Sequence, residues 1–180
     1  MANGDMSFPK IATGNWWKLR DLFKRKVPTI VTPSYLANAL SMEEGSAKSN
    51  IISPFKKIGI LDEDGKPTDL AYDWRDDQKY AEVCSKIINN NYPEEIKDLF
   101  HSSDADYQQV HSAFMRQARC GAPAARMYAT FYLLLLQSDP QGADKQNIRR
   151  ETKPKNSSLI LPSNRGHSFK HSSGPRRLAG

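Results

Sequence analysis

The sequence predicts a mainly α fold: a winged-helix-like N-terminal unit with one short β-hairpin, packed on a C-terminal helical unit and followed by a disordered tail. Apolar residues recur at intervals of three and four along most of the chain, as on one face of a helix. The one tight-turn signal between two short extended pieces is Asp64-Gly65. From Ser138 onward, Ser, Pro, Gly and basic residues dominate, a composition that buries too little surface to become ordered. The predicted units are residues 10–76, 77–137 and 138–180.

Two helices open the N-terminal unit. The first is predicted to begin after Asn15 as its N-cap, with its apolar side chains on one face. A second helix starts at Thr32-Pro33, where Thr is a good N-cap and Pro suits the first helical position. The first helix closes on a basic run, which suits the negative end of the helix dipole and comprises Lys24, Arg25 and Lys26.

A third helix is predicted from Gly45-Ser46 to about Ile58. Its apolar residues, spaced by four, four and three, form an inward stripe, and Pro54 should kink or split the helix near Ser53. The apolar stripe comprises Ala47, Ile51, Phe55 and Ile58. The opposite polar face, with its flanking lysines, comprises Ser46, Lys48, Ser49, Asn50, Ser53, Lys56 and Lys57.

The order of three helices and a hairpin is that of a winged helix-turn-helix. Beyond it the helical pattern returns. One predicted helix is capped by Ser103 and runs to Cys120, and Gly121 ends it in a position where a left-handed residue is usual. The most apolar helix, Ala124–Gln137, follows and is predicted to lie at the centre of the second unit.

The positive charge is concentrated in two segments. The whole chain has a formal net charge of +6. Residues 1–57 hold nine Lys and Arg against four Asp and Glu, and residues 138–180 hold nine against three. Residues 58–137 reverse the balance, with eight against thirteen. Clustered positive charge favours a polyanionic partner such as nucleic acid.

Several classes of protein are disfavoured. The longest unbroken apolar run is Leu133–Leu136, so no membrane segment is expected, and the N-terminus carries no signal-peptide pattern. Two isolated cysteines, Cys84 and Cys120, indicate a reducing, cytoplasmic setting without a cysteine-based zinc site. We expect no enzyme activity and no metal or cofactor, since the sequence lacks a nucleophile elbow, a phosphate-binding glycine loop and an HExxH motif.

One stretch of the sequence resembles a known family. It reads Phe55-Lys56-Lys57-Ile58-Gly59-Ile60-Leu61-Asp62-Glu63-Asp64-Gly65-Lys66-Pro67-Thr68, with Trp74-Arg75-Asp76 after it. It resembles a bacterial family of uncharacterised proteins that begin with a winged-helix-like segment and finish with a helical region. Thr32–Leu36 and Gly121–Leu136 are similar to that family's second-helix region and closing segment. The resemblance covers about residues 10–137 and implies a fold, but no activity and no catalytic residue.

These features predict a non-enzymatic DNA-binding protein, a regulator or an accessory subunit. Asn50 on the third helix can read adenine, and the lysines of the same helix can contact guanine or phosphate. The alternative is that the polar face only meets water, and that the winged helix docks a protein partner as an adaptor. The acidic turn at Asp62–Asp64 supports that alternative, because a wing that touches phosphates should be basic. The oligomeric state is left open.

The tail is expected to be dispensable for folding. Its only apolar cluster is Leu159–Leu161, so truncation at Ser138 should leave the melting temperature nearly unchanged. Its basic pairs, such as Arg149-Arg150, indicate either a solubilising segment or an arm that contacts phosphates without sequence preference.

Overall fold

The computed structural model describes residues 6–144, so most of the predicted tail, residues 145–180, lies outside the described residues. The described part is mainly helical, as predicted. Its α-helices are α1 (Thr13–Arg25), α2 (Pro33–Leu40), α3 (Glu44–Ala47), α4 (Ser53–Lys57), α5 (Asp69–Arg75), α6 (Tyr80–Asn91), α7 (Glu94–Leu99), α8 (Tyr107–Ala118) and α9 (Ala122–Gln137), and a π-helical turn, Lys48–Ile52, joins α3 to α4.

The predicted helix starts are right only in part. The Thr32 side chain accepts a hydrogen bond from the Tyr35 backbone N–H at 3.1 Å, with Pro33 as the first helical residue, so this cap is confirmed. Asn15 is not a cap, because α1 already begins at Thr13. Ser103 is not one either, since Asp106 caps α8 instead, accepting from the Gln109 N–H at 3.0 Å.

The third helix is split where Pro54 predicts it. A proline has no N–H to give to the carbonyl four residues earlier, and its ring crowds that carbonyl. A wider π-helical turn accommodates Pro54, and in it the Ser53 N–H donates to the Lys48 carbonyl five residues earlier. A regular α-helix then restarts as α4. The elements α3, the π-helical turn and α4 together are called the third helix below.

The predicted β-hairpin does not form. In its place is one isolated antiparallel bridge, between Leu61 and Pro67, and residues 6–144 contain no strand. The bridge rests on hydrogen bonds from the Asp62 N–H to the Lys66 carbonyl (2.9 Å) and from the Thr68 N–H to the Ile60 carbonyl (3.0 Å). Pairing stops there because the Ile60 N–H is bonded to the Phe55 carbonyl and α5 begins at Asp69. The Asp62 carboxylate accepts from the N–H groups of Asp64 (2.9 Å) and Lys66 (2.8 Å), which closes a turn. The Asp62-x-Asp64 pattern is therefore a turn device. A winged-helix fold, which needs a paired wing, is not supported.

Gly65 fixes the position of this turn. Its φ is +82°, and its carbonyl accepts from the Val31 N–H at 2.8 Å, which ties the turn to the start of α2. A Cβ at this position would lie 2.9 Å from the Val31 carbonyl oxygen. Only glycine fits both the left-handed backbone and the close approach.

Side chains of both predicted units share one core. Trp16 of α1 is fully buried and packs against Trp74 (4.8 Å between ring centroids), Phe131 (5.3 Å) and Phe55 (5.8 Å). Trp74 belongs to α5, which the sequence did not predict, and Phe131 to α9. The rings thereby join the third helix to the centre of the predicted second unit.

A buried arginine holds the end of the described chain. Arg20 is 1% exposed, and its guanidinium donates to the Trp74 carbonyl (2.8 Å), the Asp77 carboxylate (2.8 Å) and the Pro140 carbonyl (3.0 Å). Gly142 packs on the Trp17 ring. The predicted tail begins at residue 138, but residues 138–144 pack against α1.

Candidate nucleic-acid interface

The third helix has one buried face and one exposed face, as its spacing predicts. Ala47, Ile51 and Phe55 are fully buried, and Ile58 is 4% exposed. Most of the predicted polar face is exposed, while Ser46 and Lys56 are half-buried. The buried face is anchored in the aromatic core, so the helix presents its polar side chains from a rigid support.

The two exposed serines of this face are bound to their own helix. The Ser49 hydroxyl donates to the Gly45 carbonyl at 3.0 Å, and the Ser53 hydroxyl donates to the Lys48 carbonyl at 3.1 Å. Each hydroxyl has one hydrogen to give. A phosphate only accepts, so these serines must break an internal bond before they can contact one, which leaves the other side chains as the stronger candidates.

The two lysines at the end of the third helix are held by backbone carbonyls. Lys56 donates to the carbonyl of Glu63 in the acidic turn, and Lys57 donates to the carbonyl of Ser7 in the N-terminal segment. Partial burial lowers the pKa of Lys57. An ammonium has three donors, so each lysine can still contact an anion while its position is fixed.

Lys48 and Asn50 are the best-presented candidates. Both are exposed and lie in the π-helical turn. Within residues 6–144 neither side chain makes a hydrogen bond or an ion pair to another residue. An Asn amide offers both a donor and an acceptor, and a lysine offers charge, which is the pairing that base-edge and phosphate contacts require.

The three residues of the basic run at the end of α1 differ in their surroundings. The Lys24 ammonium forms an ion pair at 2.7 Å with the Asp77 carboxylate, which also binds the Arg20 guanidinium. Arg25 lines a hollow of about 260 Å³ between α1 and the end of α2, and Lys26 is exposed after the helix. Partial burial would raise the pKa of Asp77, but hydrogen bonds from Lys24 and Arg20 outweigh it and lower that pKa.

Cys84 is buried, and burial raises the pKa of its thiol to about 11, which disfavours the reactive thiolate form. His111 faces the backbone, with Nε2 3.1 Å from the Ala122 carbonyl. Residues 6–144 hold no group of three or more His, Cys, Asp or Glu side chains placed to bind a metal.

Sequence reasoning missed the N-terminal segment ahead of residue 10. Phe8 is 4% exposed and sits among Tyr92, Phe114 and Tyr128, with centroid distances of 5.0–5.6 Å. The only signal was a lone Phe before a proline, since a segment without helical periodicity gives no pattern to read.

None of the helices within residues 6–144 combines the length and the apolar character needed to cross a bilayer.

Comparison with known proteins identifies a family whose function is unknown. Residues 18–144 match the model of a family described as a family of unknown function, DUF5343. No curated protein and no solved structure matches the chain. The matched segment ends at the same residue as the described part of the chain, so it includes the packed residues 138–144.

Proposed function

The chain belongs to the DUF5343 family, whose function is unknown, and we propose from its own surface that it is a non-enzymatic DNA-binding protein, a regulator or an accessory subunit. In this proposal α2 and the third helix act as a helix-turn-helix that has no paired wing beside it. The bacterial origin and the cytoplasmic setting belong to the same proposal.

One observation carries the proposal: Lys48 and Asn50 are exposed, lack partners in residues 6–144, and project from a helix whose other face is locked in the core. A DNA-reading helix needs side chains that are free to bond and a backbone that does not move, because an imprecise contact cannot discriminate between bases.

The turn between α2 and the third helix supports this geometry. Ser41 adopts a left-handed conformation (φ 53°) directly after α2, and α3 starts at Glu44, so a short sharp turn joins the two helices. Ser34 of α2 donates a hydrogen bond to the Glu44 carboxylate, which fixes the start of the third helix against α2. In helix-turn-helix proteins such a turn sets the angle at which the second helix enters the major groove.

Within the proposal the residues have different roles. Asn50 contacts an adenine edge, and Lys48 contacts a phosphate. Lys56 and Lys57 contact the phosphate backbone of the DNA at the end of the third helix. The carbonyls of Glu63 and Ser7 orient these two lysines. The serines Ser46, Ser49 and Ser53 line the surface between these contacts. Lys24, Arg25 and Lys26 add to the attraction at long range only.

The test compares matched lysine variants. Lys48→Ala should weaken binding of the full chain to a labelled random duplex and should make the log-log salt slope shallower by about 1. The control is Lys86→Ala on α6, which removes the same charge from a lysine that pairs with Glu82 at 2.7 Å. Fluorescence anisotropy at several salt concentrations measures both. Equal effects of the two variants, or no binding by the wild type at low salt, would refute the proposal.

A protein-docking adaptor is the second candidate, favoured by a different surface. Tyr72 is 50% exposed, and the Arg75 guanidinium lies over its ring at 5.8 Å. Beside them is a hollow of about 360 Å³ in which basic and acidic side chains alternate. An exposed aromatic ring with an arginine is typical of protein interfaces. Binding of a protein partner that Tyr72→Ala abolishes and added salt leaves unchanged would favour this candidate.

A further inference from the structure

Helices α8 and α9 carry charge of one sign only. Between residues 107 and 137 the charged side chains are Arg116, Arg119 and Arg126, and there is no Asp or Glu. All three arginines are exposed, and within residues 6–144 none of their guanidinium groups makes an ion pair or a hydrogen bond. By contrast, Lys79, Lys86 and Lys97 each pair with a carboxylate. No carboxylate within residues 6–144 therefore pairs with these arginines, and their guanidinium groups can bind an anion.

The three arginines surround a single connection. Helix α8 ends at Ala118, Arg119 follows in a left-handed conformation (φ 50°), and α9 begins at Ala122. Arg116 lies in the last turn of α8 and Arg126 in the second turn of α9. At 1.5 Å of rise per residue, each lies within about 6 Å of its helix end along the axis. All three arginines thus lie near the end of the helical pair where α8 connects to α9.

The N-terminal segment joins this connection to the third helix. Ser7 accepts from Lys57 through its carbonyl, and the adjacent Met6 accepts from the Gln117 side chain through its sulfur at 4.0 Å. Gln117 is the neighbour of Arg116 on α8. The end of the third helix and the end of α8 therefore contact two successive residues of one segment, which the buried Phe8 anchors in the core.

The same segment extends the positive charge toward α9. The Lys10 ammonium lies 6.0 Å from the Tyr128 ring centroid, which places Lys10 against α9, the helix that also carries Arg126. Residues 6–12 contain no acidic side chain. Residues 6–12, α8 and α9 thus place no carboxylate among the basic groups that lie between the end of the third helix and α9.

We infer that Lys57, Lys10, Arg116, Arg119 and Arg126 form one surface, the helical-pair patch, which contacts the phosphate backbone of the duplex beside the third helix. The inference rests on the proposed function and extends it to the C-terminal half of the fold. Guanidinium groups suit this role because their planar fork matches phosphate oxygens in pairs. The contact carries no sequence information and positions the third helix in its groove.

The experiment uses two triple variants of the full chain with equal net charge. The first is Arg116→Gln, Arg119→Gln and Arg126→Gln; the control is Lys79→Gln, Lys86→Gln and Lys97→Gln. Each contact to B-DNA contributes about 0.9 to the log-log salt slope, so the arginine variant should lose 2 to 3 units of slope, and its affinity at 0.1 M salt should fall on the order of a hundredfold. The lysine variant should lose less than about 1 unit. Thermal melting checks that both variants are folded.

Each outcome has one meaning. If the two triple variants lose slope equally, net charge rather than this surface governs binding, and the helical-pair patch is wrong. If the arginine variant binds like the wild type while Lys48→Ala weakens binding, only this inference is overturned and the proposed function stands. If the wild type does not bind the duplex at all, both are overturned. If the arginines are needed for an acidic polypeptide such as polyglutamate but not for the duplex, the patch serves a protein partner instead.

Discussion

Removal of residues 138–144 should destabilise the fold, whereas removal of residues 145–180 should not. The Pro140 carbonyl accepts a hydrogen bond from the buried Arg20 guanidinium at 3.0 Å, and Gly142 covers an edge of Trp17. A hydrogen bond to a charged group contributes about 1.5–3 kcal/mol. Covering part of a tryptophan ring adds roughly 1 kcal/mol. The structure therefore revises the expectation that the chain is dispensable from Ser138 onward.

The comparison needs two truncated chains, one ending at residue 137 and one at residue 144. A loss of about 2–4 kcal/mol corresponds to a melting temperature lower by roughly 5–12 °C in a domain of this size. Differential scanning calorimetry of both chains beside the full-length protein measures it. If the chain ending at 137 melts within about 2 °C of the other two, the Arg20 and Trp17 contacts contribute nothing, and the reasoning fails. If the chain ending at 144 is the one that loses stability, residues 145–180 contribute to the fold.

Three further changes test single features. Gly65→Ala should cost about 1–3 kcal/mol in urea denaturation because of its positive φ and the close carbonyl, while Gly45→Ala, in a helix with open space around it, should be neutral or slightly stabilising; equal effects would contradict the account of the turn. Cys84 should resist alkylation by iodoacetamide at pH 8 until the protein is unfolded, because burial raises the pKa of its thiol; rapid labelling of the native protein would count against its core position. The pKa of Asp77 is lowered in the fold, so its contribution is present above the unfolded pKa and is lost as the pH falls through the folded value; Asp77→Asn should flatten the acid side of the stability curve below about pH 4, and an unchanged curve would refute the pairing.

Features set by local chemistry could be predicted from the sequence. Thr32-Pro33 starts α2 because the cap and the fixed proline φ act within one turn. Pro54 disturbs the third helix because the clash is with the residue four positions earlier. The apolar stripe of that helix was also right, since burial follows its periodicity. In each case the cause and its effect lie within a few residues.

Features set by distant contacts could not be predicted. The acceptors of Arg20 are Trp74, Asp77 and Pro140, which lie 54, 57 and 120 residues further along the chain. In the sequence Arg20 is one more basic residue on a helix. The hairpin failed for a related reason: Asp64-Gly65 does form the turn, but a longer strand pair would need the Ile60 N–H, which is bonded to the Phe55 carbonyl, and the residues after Thr68, which enter α5.

The sequence predicts which residues lie on the candidate interface, but not which of their side-chain donors are free to bind a partner. The sequence places Ser49, Ser53, Lys56 and Lys57 on the polar face, and the structure shows all four bonded to nearby backbone carbonyls. The partners of the lysines come from the turn after α4 and from the N-terminal segment. The sequence could not show which donors are already in use.

Asn50→Ala should remove the contact with an adenine edge that we propose for the third helix. The full chain is first used to select its preferred duplex from a random pool, and binding of wild type and variant is then measured to duplexes that differ at single positions. We predict that the variant loses roughly 1–3 kcal/mol of binding free energy at one base position only, where its base preference is relaxed. Its melting temperature should be unchanged. If wild type and variant select the same duplexes with equal affinity, the third helix does not read DNA and the account is wrong.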